Sequence, residues 1–130
     1  MNPQLRAEIR VMVKAEMRAI KYGEKKMKMA LRKLNILYAL ARGPNARSDE
    51  EIHRILIQVL PVVEQLLLGS GLFPSSSTEL VRYSKEARNH FQRSLRAIPG
   101  ESRAKPEYAK GLRSLHLLYR RTQQISGRKR

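Results

Sequence analysis

Eight cationic side chains, Arg6, Arg10, Lys14, Arg18, Lys21, Lys25, Lys28 and Arg32, follow one another at steps of 4, 4, 4, 3, 4, 3 and 4 residues. On an α-helix those steps bring all eight to one face over about seven turns. Ammonium and guanidinium groups in such a row suit one kind of chemistry: neutralising a linear polyanion, with each phosphate contact releasing a condensed counterion. Like charges four residues apart destabilise a helix by about 0.2–0.5 kcal/mol per pair. A face with no anionic partner would therefore be expected to carry interspersed acids. The acids of this stretch, Glu8, Glu16 and Glu24, fall mostly nearer its apolar side.

A second cationic group, Arg82, Lys85, Arg93 and Arg96, follows steps of 3, 8 and 3, with Asn89 in the gap. Lys110, Arg113, Arg120 and Arg121 form a third, less aligned group. Glu79, Glu86 and Glu107 lie close enough in sequence to hold some of these cations in ion pairs. Aromatic rings are few, five Tyr and two Phe with no Trp. Most recur at helical spacing on apolar faces and read as core. Tyr22 lies off the apolar stripe of its helix and is the best candidate for stacking on a base. With so few stacking rings, phosphate contacts dominate the expected binding, and these carry no sequence information.

The residues needed for catalysis are not brought together by any motif. His53, His90 and His116 fall on three different expected helices, and no His-Glu-x-x-His, P-loop or glycine-rich phosphate loop is present. Glu50 and Glu51 read as helix-start acids rather than a catalytic pair. His116 flanks an apolar set and reads as a packed or rim histidine. The chain is expected not to be an enzyme and to need no cofactor and no metal.

Composition points the same way as the stripe. The 130 residues hold 27 Lys and Arg against 11 acids, a formal charge of +16. Such an excess opposes compaction unless an anionic partner screens it, and a pI near 11.0 is the footprint expected of a nucleic-acid binder. The charge is unevenly placed. Residues 1–47 carry 12 Lys or Arg against three acids, residues 48–76 one against four, and residues 77–130 14 against four. The middle segment is thus expected to be the buried central element and the flanking ones the binding surface. There is no cysteine, which excludes disulfides and thiolate sites and fits an intracellular, cytoplasmic protein. No apolar run reaches the roughly 20 residues of a membrane span, and the charged opening MNPQLRAEIR lacks the apolar core of a secretory signal.

Four helical segments must position these groups. Asn2 and Pro3 open the first as N-cap and first-turn residue. Leu5, Ile9, Val13, Ile20, Met27, Leu31, Leu34, Tyr38 and Ala41 recur at steps of three, four or seven, on a stripe about 130° from the cations. The phase runs through Gly23, so one helix over 3–41 is expected, with a bend near Gly23 as the alternative. Ser48-Asp49-Glu50-Glu51 reads as a capping box for a second helix, with Ile52, Ile55, Leu56, Val59, Leu60, Val63, Leu66 and Leu67 inward and a kink expected at Pro61. Leu72 and Phe73 are expected to dip into the core from a loop over 71–77. A third helix follows from Ser77 or Thr78, with Leu80, Tyr83, Ala87, Phe91, Leu95 and Ile98 inward. Pro106 is expected to open the fourth, with Tyr108, Leu112, Leu115, Leu118 or Tyr119, and Ile125 inward. The fold expected is an all-α four-helix bundle, with five helices as a close variant, over 1–125. A mobile basic tail follows over 126–130.

In size, helical organisation and the basic stripe MNPQLRAEIRVMVKAEMRAIKYGEKKMKMALRK, the chain resembles the small subunits of multi-subunit CRISPR effector complexes. The resemblance implies a basic helical subunit that stacks along the complex, beside other subunits and copies of itself. It would support the target or displaced strand through backbone contacts in antiviral defence. The family offers no motif that matches residue by residue, so no residue role is carried over. A ribosomal or phage DNA-packaging protein, or a free-standing DNA- or RNA-binding regulator, shares the same features. A membrane-surface or protein-interaction module is the reading from a different class. A helix-turn-helix regulator needs a short interhelical turn, whereas the connections expected here run to roughly five to ten residues.

Overall fold

The computed structural model describes residues 3–98 and 100–128; the side chains of residues 5, 6, 8–10, 12, 13, 15–21, 101–104 and 128 lie outside the described residues. Four helices form: α1 (Pro3–Ala41), α2 (Glu50–Leu68), α3 (Pro74–Ala97) and α4 (Glu101–Arg128), with a 3-10 turn over Ala46–Ser48. No strand is present among the described residues.

Each helix is set by a seam at alternating three- and four-residue steps. In α1 the buried positions are Gly23, Met27, Ala30, Leu34, Leu37 and Ala41. In α2 they include Leu56, Leu60, Val63 and Leu67, in α3 Leu80, Ala87 and Phe91, and in α4 Tyr108, Leu115, Leu118 and Ile125. Many of the expected inward residues are buried here. Leu31, Tyr38, Ile52, Ile55, Val59, Leu66, Tyr83, Leu95, Ile98, Leu112 and Tyr119 are half-buried at the flanks. The expected inward positions Leu5, Ile9, Val13 and Ile20 have side chains outside the described residues.

Cross-helix bonds fix an up-down-up-down order. The Tyr108 hydroxyl donates to the Ala41 carbonyl, and the Tyr119 hydroxyl donates to Asn35 Oδ1 at 2.9 Å, so α4 runs antiparallel to α1. His90 with Glu107 and Arg121 with Glu79 pair α3 antiparallel to α4. Buried polar residues tie α2 to α3. His53 Nδ1 donates to the Asp49 carbonyl at 2.7 Å, and its Nε2 lies 2.7 Å from Ser94 Oγ. Glu64 accepts from Ser84 Oγ at 3.0 Å and from Arg88 at 3.1 Å. Burial pushes the Tyr108 phenol up to about 12, which keeps it a neutral donor to α1.

Several expectations are corrected. The cap of α2 is Asp49, whose side chain accepts from the Glu51 and Ile52 amides; Ser48 instead donates to the Asn45 carbonyl within the 3-10 turn. Pro74 starts α3 three residues early because a proline suits the first turn, where its missing N–H would be unbonded anyway. That shortens the loop to 69–73 and leaves Phe73 exposed, while Leu72 does pack on the core. Gly71 there adopts φ 77°, a backbone conformation glycine takes without steric cost. Helix α4 begins at Glu101, five residues ahead of Pro106, and continues through Ser126 to Arg128, so the expected tail is helical over 126–128. Lys129 and Arg130 lie outside the described residues. Both α2 and α4 continue through their internal prolines, Pro61 and Pro106. Finally, α2 is not a central buried element. It is one of four peers, and Val62 and Leu68 on its outer side are exposed.

Gly23 does not break α1. A Cβ there would lie 2.6 Å from the backbone oxygen of Ser70, so the glycine lets the end of α2 press against α1. Because α2 stops at that level, residues 3–22 carry α1 a further 30 Å or so. Counting from Tyr119 opposite Asn35, α4 also stops at about the level of residue 26. Gly23→Ala should raise helix propensity by about 1 kcal/mol yet destabilise the fold by about 1–3 kcal/mol, because backbone rather than a flexible side chain must yield. Thermal melting checks this; an increase in Tm would contradict the contact.

Candidate nucleic-acid interface

The α1 seam fixes where the cationic stripe points. At about 100° per residue, Lys25, Lys28 and Arg32 lie about 140–180° from the buried seam, close to directly opposite it. Lys14, Lys25, Lys28 and Arg32 are exposed. Arg6, Arg10, Arg18 and Lys21 share the helix, and their side chains lie outside the described residues. None of the four exposed cations forms an ion pair among the described residues.

The antiparallel α3–α4 pair adds a second basic face. Arg82, Lys85, Arg93 and Arg96 are exposed on α3, and Lys110, Arg113 and Arg120 on α4. The bonds from Glu79 and His90 to Arg121 and Glu107 define the sides by which the two helices meet. Helical phase from those sides turns Arg82 and Arg93 toward the α4 flank and Lys110 toward the α3 flank. The two groups that looked separate in sequence thus share one surface. Helical phase puts Arg113 and Arg120 on the outer side of α4, nearly opposite its buried seam, so the basic surface extends from α3 over the outside of α4.

Acids leave this surface comparatively uncovered. Glu64 binds Arg88 at 3.1 Å, and Glu79 binds Arg121 at 3.2 Å, both between helices and partly shielded. Arg121 therefore belongs to the scaffold rather than the open surface. Glu107 accepts from His90 Nδ1 at 2.8 Å and reaches Lys110 only at 3.9 Å. Arg82 meets Glu86 at a loose 4.0 Å. Lys85, Arg93, Arg96, Arg113 and Arg120 form no ion pair among the described residues.

A hydrogen bond from His90 holds the Glu107 carboxyl below its ordinary range, helped by the nearby charge of Lys110. A depressed carboxylate contributes stability that is present above its unfolded pKa, about 4.3, and is lost as pH falls through the folded value. Glu107→Gln should therefore lower stability at neutral pH and flatten the fall in Tm below about pH 4. Melting curves from pH 6 to pH 3 check this; parallel curves for the two proteins would refute it.

Sequence periodicity alone did not reveal a small aromatic cluster at the α1–α4 rim. The Tyr38 hydroxyl is hydrogen-bonded with His116 Nδ1 at 2.8 Å, its ring lies 5.5 Å from that of Tyr119, and the Arg42 guanidinium sits 5.1 Å from the Tyr38 centroid. Only the antiparallel pairing of α1 with α4 assembles these residues. His116 is exposed at that rim. Tyr22, the expected stacking ring, is exposed, with the Lys26 ammonium 4.4 Å from its centroid.

Among the described residues no group of three or more His, Asp or Glu could hold a metal ion, and no helix is long and apolar enough to cross a membrane. No protein-family model matches the chain, and neither a curated protein nor a solved structure matches it. The α3–α4 connection is short, 98–100, but the two helices lie side by side along their length. That arrangement is an antiparallel hairpin rather than the open angle of a helix-turn-helix.

Proposed function

We propose that this chain is a non-catalytic accessory subunit that holds the phosphate backbone of a nucleic acid with little sequence specificity. The observation that carries the reading is the sorting of charge. Several acids turn inward to join helices, while cations of α1, α3 and α4 stand exposed without acidic partners on adjoining faces. Such a surface can neutralise many phosphates, and the scarcity of exposed rings leaves few means of reading bases. The resemblance to CRISPR effector small subunits supplies a setting in which the subunit would line a target or displaced strand beside other subunits. A free-standing helix-turn-helix regulator is less favoured, because α3 and α4 pack side by side as a hairpin rather than at the open angle that motif needs.

Competition among scrambled sequences of equal length tests this reading. Affinities should agree to well within about 3 kcal/mol, the upper end of the cost of one mismatch to a sequence-reading protein. Larger discrimination would overturn it. Nuclease treatment during purification should also release nucleic acid from the native protein.

A further inference from the structure

Among the described residues, the large apolar side chains that α1 exposes do not scatter. Val11, Tyr22, Met29 and Ile36 are separated by 11, 7 and 7 residues, which places them on one stripe about 100–140° from the buried seam. Lys26, beside Gly69 of α2, marks that flank as the one facing α2. On α2, the flank toward α1 carries the half-buried Ile55, Val59 and Leu66, with the exposed Val62 at its outer edge, at the same three- and four-residue steps. In both helices this flank turns away from the basic surface of α3 and α4. Tyr22 is 61% exposed, Ile36 59%, Val62 47% and Met29 39%. From Tyr22 to Ile36 the strip runs about 21 Å, the length of two heptads.

The cations on this strip differ from those on the basic surface. Lys26 and Lys33 stand seven residues apart within the α1 stripe, and both are half-buried against it. Neither forms an ion pair among the described residues. The ammonium of a lysine whose stem is half-buried beside an apolar strip is complementary to a carboxylate carried at heptad spacing by a helix lying along it. A second copy fits less well, since it brings its own charge of +16 and its own Lys26 and Lys33. We infer that the α1–α2 groove is a protein-docking face, and that its occupant is an amphipathic helix of another protein with an apolar seam flanked by Glu or Asp. The inference does not rest on nucleic-acid binding, which is assigned to the exposed cations of α1, α3 and α4 rather than to this apolar strip, although Lys25 and Tyr22 lie along its border.

The test uses the full chain and a fluorescent synthetic helix of about three heptads, with Leu at a and d and Glu at e and g. Fluorescence anisotropy should show saturable binding. Ile36→Ser with Val62→Ser should weaken it at least about tenfold, the equivalent of losing one buried aliphatic side chain. A shuffled peptide of identical composition has the same charge but no seam and should bind at least as much more weakly. Lys26→Gln with Lys33→Gln should weaken the Glu-flanked helix and leave a Gln-flanked one unchanged. This second variant keeps the test decisive if the serine pair alters the fold, which circular dichroism and melting report. Nucleic-acid affinity should be unchanged in the serine pair. Equal binding by the shuffled peptide would overturn the inference in favour of charge alone. Sedimentation showing a dimer of the chain that the serine pair abolishes would overturn it in favour of a second copy. Flotation with phosphatidylserine vesicles, lost in the same pair, would overturn it in favour of lipid.

Discussion

Replacing Lys25, Lys28 and Arg32 by Gln should weaken nucleic-acid binding about a hundredfold near physiological salt and reduce the log–log salt slope by about three. The magnitude follows from counterion release. Each phosphate contact contributes about 0.9 to the slope, and three contacts at about 0.15 M salt amount to roughly two decades in affinity. The three side chains are exposed, lie opposite the α1 seam, and form no ion pair among the described residues, so the fold should persist. Relief of their mutual repulsion should stabilise α1 by a few tenths of a kcal/mol, about the size of one unfavourable helix pair. A matched variant, Arg47→Gln, Arg54→Gln and Lys105→Gln, removes the same charge from other exposed positions. Equal losses in the two variants would mean that net charge alone governs binding and that the α1 face has no special part.

Phe91→Ala should be the most damaging single truncation of the core, costing about 3–5 kcal/mol. Phe91 is fully buried. Its ring lies 5.4 Å from that of Tyr108 and meets His53 edge-on at 6.5 Å, so it joins α3 to both α2 and α4. It also presses close to the α4 backbone: a Cβ on Gly111 would stand 2.8 Å from its Cε1. The surrounding helices cannot collapse into the space without moving whole elements. Against a typical total stability of about 5–15 kcal/mol, the loss should lower Tm by roughly 10–20 °C. Denaturant melts with an unchanged m-value would confirm the cause as a cavity. A loss below about 1 kcal/mol would show that the three-helix junction repacks.

The extent of α1 was legible because Pro3, a continuous three-four period and the Arg42-Gly43-Pro44 stop all agree. The bundle was legible for the same reason. What escaped the period was the set of buried polar residues inside the helices, five of which show why. His53, Glu64, Ser84, Ser94 and Thr122 break an apolar pattern on paper, yet each is satisfied by a partner, in most cases on another helix. Pro106 misled because a proline is most familiar in a first turn, whereas α4 accommodates it further in. The basic surface was half visible. Helical spacing aligned the cations of α1, but only the antiparallel packing of α3 on α4 turns Arg82 and Arg93 toward the flank that carries Lys110. The apolar strip on α1 and α2 was hidden because a wheel shows which residues flank a seam, not which neighbour leaves them uncovered.

The central claim, a protein that grips phosphates and reads little else, is tested most directly by the salt dependence of binding of the unmodified chain. On a scrambled duplex the affinity should fall steeply, with a log–log slope near −5 if about six phosphates are neutralised, and a second scrambled duplex should give the same slope. A flat response to salt would contradict the account, because eight cations aligned on one helix and a net charge of +16 would then have no part in binding.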